Sequence, residues 1–273
     1  MGELHTGTDH LLGRVDGPVA VLSFNRPASR NALSEEMYAG FATALPQVRD
    51  DTSIRVLMVT GEGGAFCSGG DVKGFRESHA SGATPPTAES SVDHLRSIQA
   101  AVSLAMRAMP KPVVAAIPGA AAGAGLSIAL AADLRIAAER AVFVSAFSTI
   151  GGSGDFGSSW FLPRLIGEAK AKELMFMSPR LSAVAARDLG LVNRVLPDDD
   201  FEAAALAYCH ELAGRAPIAL RYIKENIQRS FDVGLATALD AEAVAMVRSM
   251  STADHREAVA AFLEKRSATF EGR

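Results

Sequence analysis

Three segments carry residue types whose spacing could do chemistry. The first, Asn25-Arg26-Pro27-Ala28-Ser29-Arg30-Asn31-Ala32-Leu33, is a turn leading from a strand pattern into a helix pattern. The second, Gly61-Glu62-Gly63-Gly64-Ala65-Phe66-Cys67-Ser68-Gly69-Gly70-Asp71-Val72-Lys73, follows a strand pattern. The third runs from Lys111-Pro112-Val113-Val114-Ala115-Ala116-Ile117-Pro118-Gly119 into Ala120-Ala121-Ala122-Gly123-Ala124-Gly125-Leu126. In the second and third, a buried strand feeds small residues and then a helix. The first amides of a helix have no intrahelical partner, and the helix dipole adds partial positive charge to them. Two such N–H groups converging on one point would hold an oxyanion. Neither stretch fits the GxGxxG fingerprint or a P-loop with its GK[ST] ending. His5, His10, His79, His94, His210 and His255 form no group with acids at metal-ligand spacing, so no metal is expected.

The elements that must position these turns alternate along the first part of the chain. Val19–Phe24, Ile54–Thr60, Val113–Ile117 and Leu134–Ala138 are short, apolar runs read as buried strands. Ser34 caps a helix whose first turn carries Glu35 and Glu36, the sign the dipole favours. Ser78 to Ser91, with Pro85-Pro86, reads as a loop, and Ser91–Met109 as a helix closed by Pro110 and Pro112. After about Leu196 the pattern turns wholly helical, over Phe201–Gly214, Ile218–Arg229, Leu235–Met250 and Asp254–Arg266. Leu235, Leu239, Met246 and Met250 share one helical face, read first as core packing rather than a Met-lined binding surface. Such a tail on an α/β body also suits an oligomer contact. The expected organisation is a core over residues 1–196 and a helical oligomerisation region over 197–273.

Composition narrows the function classes. With 273 residues the chain makes one large domain or two small ones. Hydrophobic residues at 48% and charged residues at 21% exclude a disordered or fibrous protein. A net charge of −4 offers no basic excess for a phosphate backbone, so nucleic acid is not the expected partner. Cys67 and Cys209 lie far apart, which fits neither a disulfide framework nor a zinc pattern and suits a reducing cytoplasm. Met1 to Gly17 has no apolar run of a secretory signal. The uncharged run Pro112–Ala132 has the length of a membrane span, but Pro118 and Gly119 interrupt it, and it reads as two elements joined by a turn.

Taken together, in this order and spacing, the three segments resemble the crotonase family, the enoyl-CoA hydratase/isomerase superfamily. The resemblance runs from about Val15 to Phe270 and includes the ending Ala261-Phe262-Leu263-Glu264-Lys265-Arg266. It implies an α/β fold: a spiral of ββα units followed by a C-terminal helical trimerisation region, with trimers often paired into hexamers. By position, the oxyanion donors would be the backbone amides of Gly70 and Ala124. Ser68, Gly70, Asp71, Val72 and Lys73 would line the CoA site, the Ser68 carbonyl facing the adenine. Arg26, Arg30 and a neighbouring subunit's Lys265 would contact its phosphates. CoA enters as part of the substrate, so no separate cofactor is expected, and neither is a membrane partner.

The sequence departs from the family's hydratases at two positions. Their first glutamate falls on Ser127 and their second on Phe147, a residue that would line the acyl site; neither can act as a carboxylate base. One acid remains. Gly151-Gly152-Ser153-Gly154-Asp155-Phe156-Gly157 aligns with the family's Gly-x-x-Pro-Asp-x-Gly turn, where an aspartate moves protons in some isomerases and is the nucleophile of an aryl-CoA dehalogenase. That dehalogenase needs a histidine near Ala100, and none occurs between Leu95 and Met109. The expected activity is therefore double-bond isomerisation of an enoyl-CoA with Asp155 as proton carrier. The alternatives are a hydratase despite the missing glutamates, or a non-catalytic acyl-CoA binder in which Asp155 only caps a helix.

Overall fold

Strands buried on both faces read as continuous apolar runs, and these assemble into a sheet with a packed layer on either side. The computed structural model describes residues 2–71 and 87–273. Its strands are β1 (Gly2–Glu3), β2 (Leu11–Asp16), β3 (Val19–Phe24), β4 (Val56–Gly61), β5 (Val113–Ile117), β6 (Ala121–Ala122), β7 (Leu134–Ala138), β8 (Val142–Val144), β9 (Leu181–Ser182) and β10 (Arg194–Leu196). The main sheet has the order β1-β2-β3-β4-β5-β7-β10. Its first two pairings are antiparallel and the rest, from β3/β4 to β7/β10, are parallel. A small second sheet, β6-β8-β9, was not foreseen, its strands being too short to show a period.

Alternation along the strands divides the core in two. Leu22 and Phe24, Leu57 and Val59, and Val113 and Ile117 face a large cluster that includes Phe41 and Met37 of helix α1 (Glu35–Asp50). Val19, Val21, Val56, Met58 and Val114 face the other way, against Phe201, Ala205 and Cys209. As expected, Ser34 caps α1, its hydroxyl accepting from the Met37 amide at 3.3 Å.

The following helix differs from its expected form. It begins earlier, as α2 (Ala88–Gln99), with Thr87 as its cap, so the last residues of the expected Ser78–Ser91 loop are helical. The remainder of that loop lies outside the described residues. The helix then widens into a π turn over Ala100–Leu104 and closes with α3 (Ala105–Ala108). Further on come α4 (Ala124–Ala131), α5 (Ser158–Ile166), α6 (Glu168–Met177) and α7 (Ala183–Asp188).

The helical tail consists of α8 (Phe201–Ala213), α9 (Pro217–Ser230), α10 (Leu235–Met250) and α11 (Ala253–Glu264). Helix α8 covers the second face of the main sheet. The other three leave large apolar side chains in solvent in the single chain. Core packing within the chain is not the fate of the α10 stripe: Leu235, Leu239, Met246 and Met250 are 76, 53, 60 and 48% exposed. Among the described residues no layer covers them, and the surface they form fits a trimerisation region. Among the described residues, no helix is long and apolar enough to cross a membrane.

Candidate active site

The three glycine-rich or small-residue segments fold into one assembly, and Asn31 ties the first to the second. Its Oδ1 accepts from the Arg26 amide at 2.8 Å, and its Nδ2 donates to the carbonyls of Glu62 and Ala65, both at 2.9 Å. Backbone bonds continue the clamp, from the Leu33 amide to the Gly69 carbonyl and from the Ser68 amide to the Arg30 carbonyl. The third segment docks on the second through Phe66 and Cys67 amides to the Ala120 carbonyl, and the Ala122 amide to the Cys67 carbonyl. Approach is so close that a Cβ on Gly125 would lie 2.3 Å from the Cys67 carbonyl oxygen. At Gly69, with φ +90°, a Cβ would meet the Ala122 oxygen at 2.8 Å and the Ala124 amide nitrogen at 3.2 Å.

This packing brings the Cys67–Gly70 turn against the first residue of α4. The helix is preceded by Gly123 at φ 52°, ψ −126°, which offers no capping side chain. Ala124, as the first helical residue, therefore presents an amide with no intrahelical acceptor. The expected donor pair, Gly70 and Ala124, sits on the two turns that meet here. Cys67 beneath them is fully buried, and burial pushes its thiol up to about 12, so it is no nucleophile.

Asp155 lies on the turn leading into α5. It does not cap that helix through its side chain: the cap position is Gly157, with no side-chain hydrogen bond, and the Ser158 amide donates instead to the Asp155 backbone carbonyl at 3.1 Å. The carboxylate Oδ1 is buried without a hydrogen-bond partner. Burial raises the Asp155 pKa to about 6. Next to it Phe156 is held at φ 46°, a strained conformation for a bulky residue. That backbone sets its ring against Tyr38 of α1, stacked at 5.8 Å and 22°. Burial, and then the neighbouring Cys67, Glu35 and Asp155, push the Tyr38 phenol upward. Tyr38 thus stands near both the Cys67–Gly70 turn and Asp155.

The two positions aligned with hydratase glutamates are otherwise occupied. Ser127 is fully buried and its hydroxyl donates to the Gly123 carbonyl at 3.2 Å, so it closes the first turn of α4. Phe147 is 8% exposed and its carbonyl accepts from the Gly152 amide at 2.9 Å, bracing the glycine-rich turn before Asp155.

Beyond Asp155 a cavity of about 490 Å³ opens between the π turn and α5, lined by Ala100, Ser103, Leu104, Phe156, Trp160 and Phe161 among others. Two guanidinium groups lie over the Trp160 ring, Arg164 at 3.8 Å and Arg107 at 5.1 Å from its centre. Tyr38, Ser103 and the Trp160 wall were not singled out from sequence. Their only signal was weak: a lone hydroxyl within the apolar run Ala100–Met106, and a lone tryptophan.

The expected CoA contacts are distributed unevenly. Ser68 is held by its amide and by its hydroxyl, which donates to the Ser29 carbonyl at 3.3 Å. Arg26 pairs with Asp71 at 3.1 Å and donates to the Ala32 carbonyl, so both residues serve to order the turn. Arg30 is exposed at the same turn, and Lys265 is exposed at the end of α11. Val72 and Lys73 lie outside the described residues. Among the described residues no cluster of His, Cys, Asp and Glu could hold a metal ion.

Compared with known proteins, the chain matches the family profile described as enoyl-CoA hydratase/isomerase over residues 14–273. It is 36% identical over 265 residues to the 1,2-epoxyphenylacetyl-CoA isomerase of Escherichia coli (strain K12), covering 97% of this chain and 99% of that protein. It is 38% identical over 268 residues to the mitochondrial enoyl-CoA hydratase domain-containing protein 2 of Mus musculus, covering 96% of this chain and 87% of that one. The crystal structure of an enoyl-CoA hydratase from Polaromonas sp. JS666 superposes with a TM-score of 0.88 at 37% identity, covering 96% of this chain and 99% of that chain.

Proposed function

The chain belongs to the enoyl-CoA hydratase/isomerase family, and within it we propose an enoyl-CoA double-bond isomerase with Asp155 as its proton carrier. The carrying observation is the Asp155 carboxylate: half-buried, with Oδ1 buried and unpartnered, and not used as a helix cap. In this reading the thioester carbonyl of a 3-enoyl-CoA accepts from the Gly70 and Ala124 amides. Asp155 removes a proton from C2, and the electron pair moves onto the carbonyl oxygen as a dienolate, which the two amides stabilise. Asp155 then returns the proton to C4 and the double bond moves from C3–C4 to C2–C3. A pKa near 6 suits both halves, because the group is a carboxylate at neutral pH and its conjugate acid readily gives the proton back.

The relative from Escherichia coli is named an isomerase of an acyl-CoA, 1,2-epoxyphenylacetyl-CoA, which supports isomerisation of a thioester but not the double-bond shift itself. Hydratase is the second reading, favoured by the names of other relatives and opposed by Ser127 and Phe147 at the glutamate positions. CoA would lie along Ser68–Lys73, with Arg26, Arg30 and a neighbouring subunit's Lys265 at its phosphates, in a homotrimer or hexamer located in the cytoplasm. No separate cofactor takes part in this scheme. The deciding assay is spectrophotometric turnover of 3-enoyl-CoA against hydration of 2-enoyl-CoA by the same preparation. Isomerisation at least tenfold faster than hydration supports the proposal; ordinary hydratase rates with no isomerisation overturn it.

A further inference from the structure

Arg107, on α3, carries a charge that the fold leaves without a counter-charge. Among the described residues no carboxylate lies within ion-pair distance of it, and its guanidinium donates no hydrogen bond. Its backbone carbonyl accepts from the Gln228 side chain at 2.9 Å, which fixes the main chain but not the charge. Burial lowers its pKa, and the acid that acts against this most strongly, Asp133, is engaged elsewhere. Asp133 Oδ2 accepts from the Val113 amide at 2.8 Å and from Lys224 Nζ at 2.7 Å. Arg164, over the same Trp160 ring, adds a like charge. The guanidinium is nevertheless open to a ligand: Arg107 is only half-buried, and none of its unbonded nitrogens is sealed from solvent.

Its place in the fold is the wall of the 490 Å³ cavity beyond Asp155. One helical face, from Arg96 through Ala100 to Arg107, lines that cavity, and the start of α5 lines it opposite. Gly157, two residues after Asp155, and Trp160, one turn further along α5, both belong to the second wall. Arg107 meets Trp160, so it stands about a helical turn beyond the Asp155 end. The cation at the other end of the helical face, Arg96, is largely exposed and paired with Asp93 at 3.1 Å. Arg107, Trp160 and Phe161 also line a second cavity of about 390 Å³, whose wall includes Leu220, Ile223 and Ile227 of α9. One unpaired guanidinium thus stands on the wall common to two largely apolar spaces.

We propose that Arg107 is a specificity-determining residue that receives a carboxylate at the far end of the acyl group, so that the preferred substrates are monothioesters of dicarboxylic acids. This rests on the acyl-CoA reading above but not on Asp155 chemistry. An acyl chain ending in a methyl group would fill the apolar space and leave the guanidinium further desolvated without a counter-charge. A terminal carboxylate would instead accept the charge-assisted hydrogen bonds that the planar guanidinium has to give. A site built on such a pair discriminates against the neutral analogue.

Calorimetry on the full-length protein tests it with saturated, unreactive ligands: glutaryl-CoA, adipoyl-CoA and suberoyl-CoA, each against the methyl ester of its free carboxyl group. The expected result is that at least one acid binds about tenfold more tightly than its own ester. That advantage should shrink as ionic strength rises. Arg107→Gln should remove the preference while the esters bind as before. Arg107→Lys, which keeps the charge but not the planar fork, should retain part of it. Esters binding as tightly as acids at all three lengths overturns the proposal. So does an undiminished preference, or an equal loss for acids and esters, in a folded Arg107→Gln protein. Absence of binding by every thioester to the unaltered protein overturns the acyl-CoA reading and this proposal with it, an outcome distinct from thioester binding without a preference for the acid.

Discussion

At the scale of single residues, Asp155 joins two properties that oppose each other. Its carboxylate is taken out of water without a hydrogen bond to Oδ1, which disfavours the charged form and raises the pKa to about 6. The ordinary value is 3.8, so the unfolded chain ionises first as pH rises. The folded state is therefore progressively penalised between about pH 4 and pH 6 and carries the full penalty above that. Asp155→Asn keeps the size but cannot hold a charge. It should raise thermal stability at pH 7, on the order of 1 kcal/mol after allowance for partial solvent exposure, and flatten the stability profile between pH 4 and 6. The same variant should lower isomerisation about 10²–10⁴-fold while acyl-CoA affinity stays within about threefold. In the unaltered protein, kcat/KM should rise with pH through about 6 as the base ionises. Loss of activity together with loss of stability would instead mark Asp155 as structural. The alignment of a short turn made this residue legible. Tyr38 and Ser103 were not, because sequence spacing on α1 and the π turn says nothing about which distant turn they meet across the core.

At the scale of elements, the strand-to-helix turns were legible because small residues in that setting have few other uses, whereas the geometry of their meeting was not. The sequence shows Gly69, Gly123 and Gly125 as small; only the fold shows that two of them lie against another segment's backbone. Gly125 lets α4 descend onto the Cys67 carbonyl, and that descent brings the Ala124 amide beside the Cys67–Gly70 turn. Gly125→Ala places a methyl where backbone stands at 2.3 Å, so α4 must shift. The expected cost is about 1–3 kcal/mol of stability, read by thermal or denaturant unfolding. Isomerisation, if the proposed activity holds, should fall more than stability alone explains, since a displaced amide weakens one of the two proposed oxyanion donors. The wide turn at Ala100–Leu104 illustrates the opposite case. Its sequence, Ala-Ala-Val-Ser-Leu, holds no glycine or proline, and the period gives no hint of an extra residue in the turn.

At the scale of the whole molecule, the remaining unexplained feature is apolar surface. Helices α9 to α11 leave Ile223, Ile227, Leu235, Met246, Phe262 and Leu263 between 54 and 83% exposed. Apolar exposure on this scale, gathered on three successive helices, marks an interaction site rather than ordinary scatter. The helical spacing of the α10 stripe was readable in the sequence, but its burial partner was not, because among the described residues no other segment supplies one. If copies of the chain cover it in a closed ring, light scattering at micromolar concentration should give three or six times the 28.6 kDa chain mass. Leu239→Arg with Met246→Arg places two charges in that contact and should reduce the mass to 28.6 kDa. The pair also tests whether the ring completes the site. Lys265 ends α11, on the same tail, and is proposed to reach a neighbour's CoA phosphates. Lys265→Ala should then weaken CoA thioester binding by up to about fivefold, the range of one exposed ion pair. The monomeric double variant should show the same weakening with Lys265 still present. Adding Lys265→Ala to it should weaken binding no further, because the lysine has already lost the neighbour it serves. An additive loss would instead mean that Lys265 acts within its own chain.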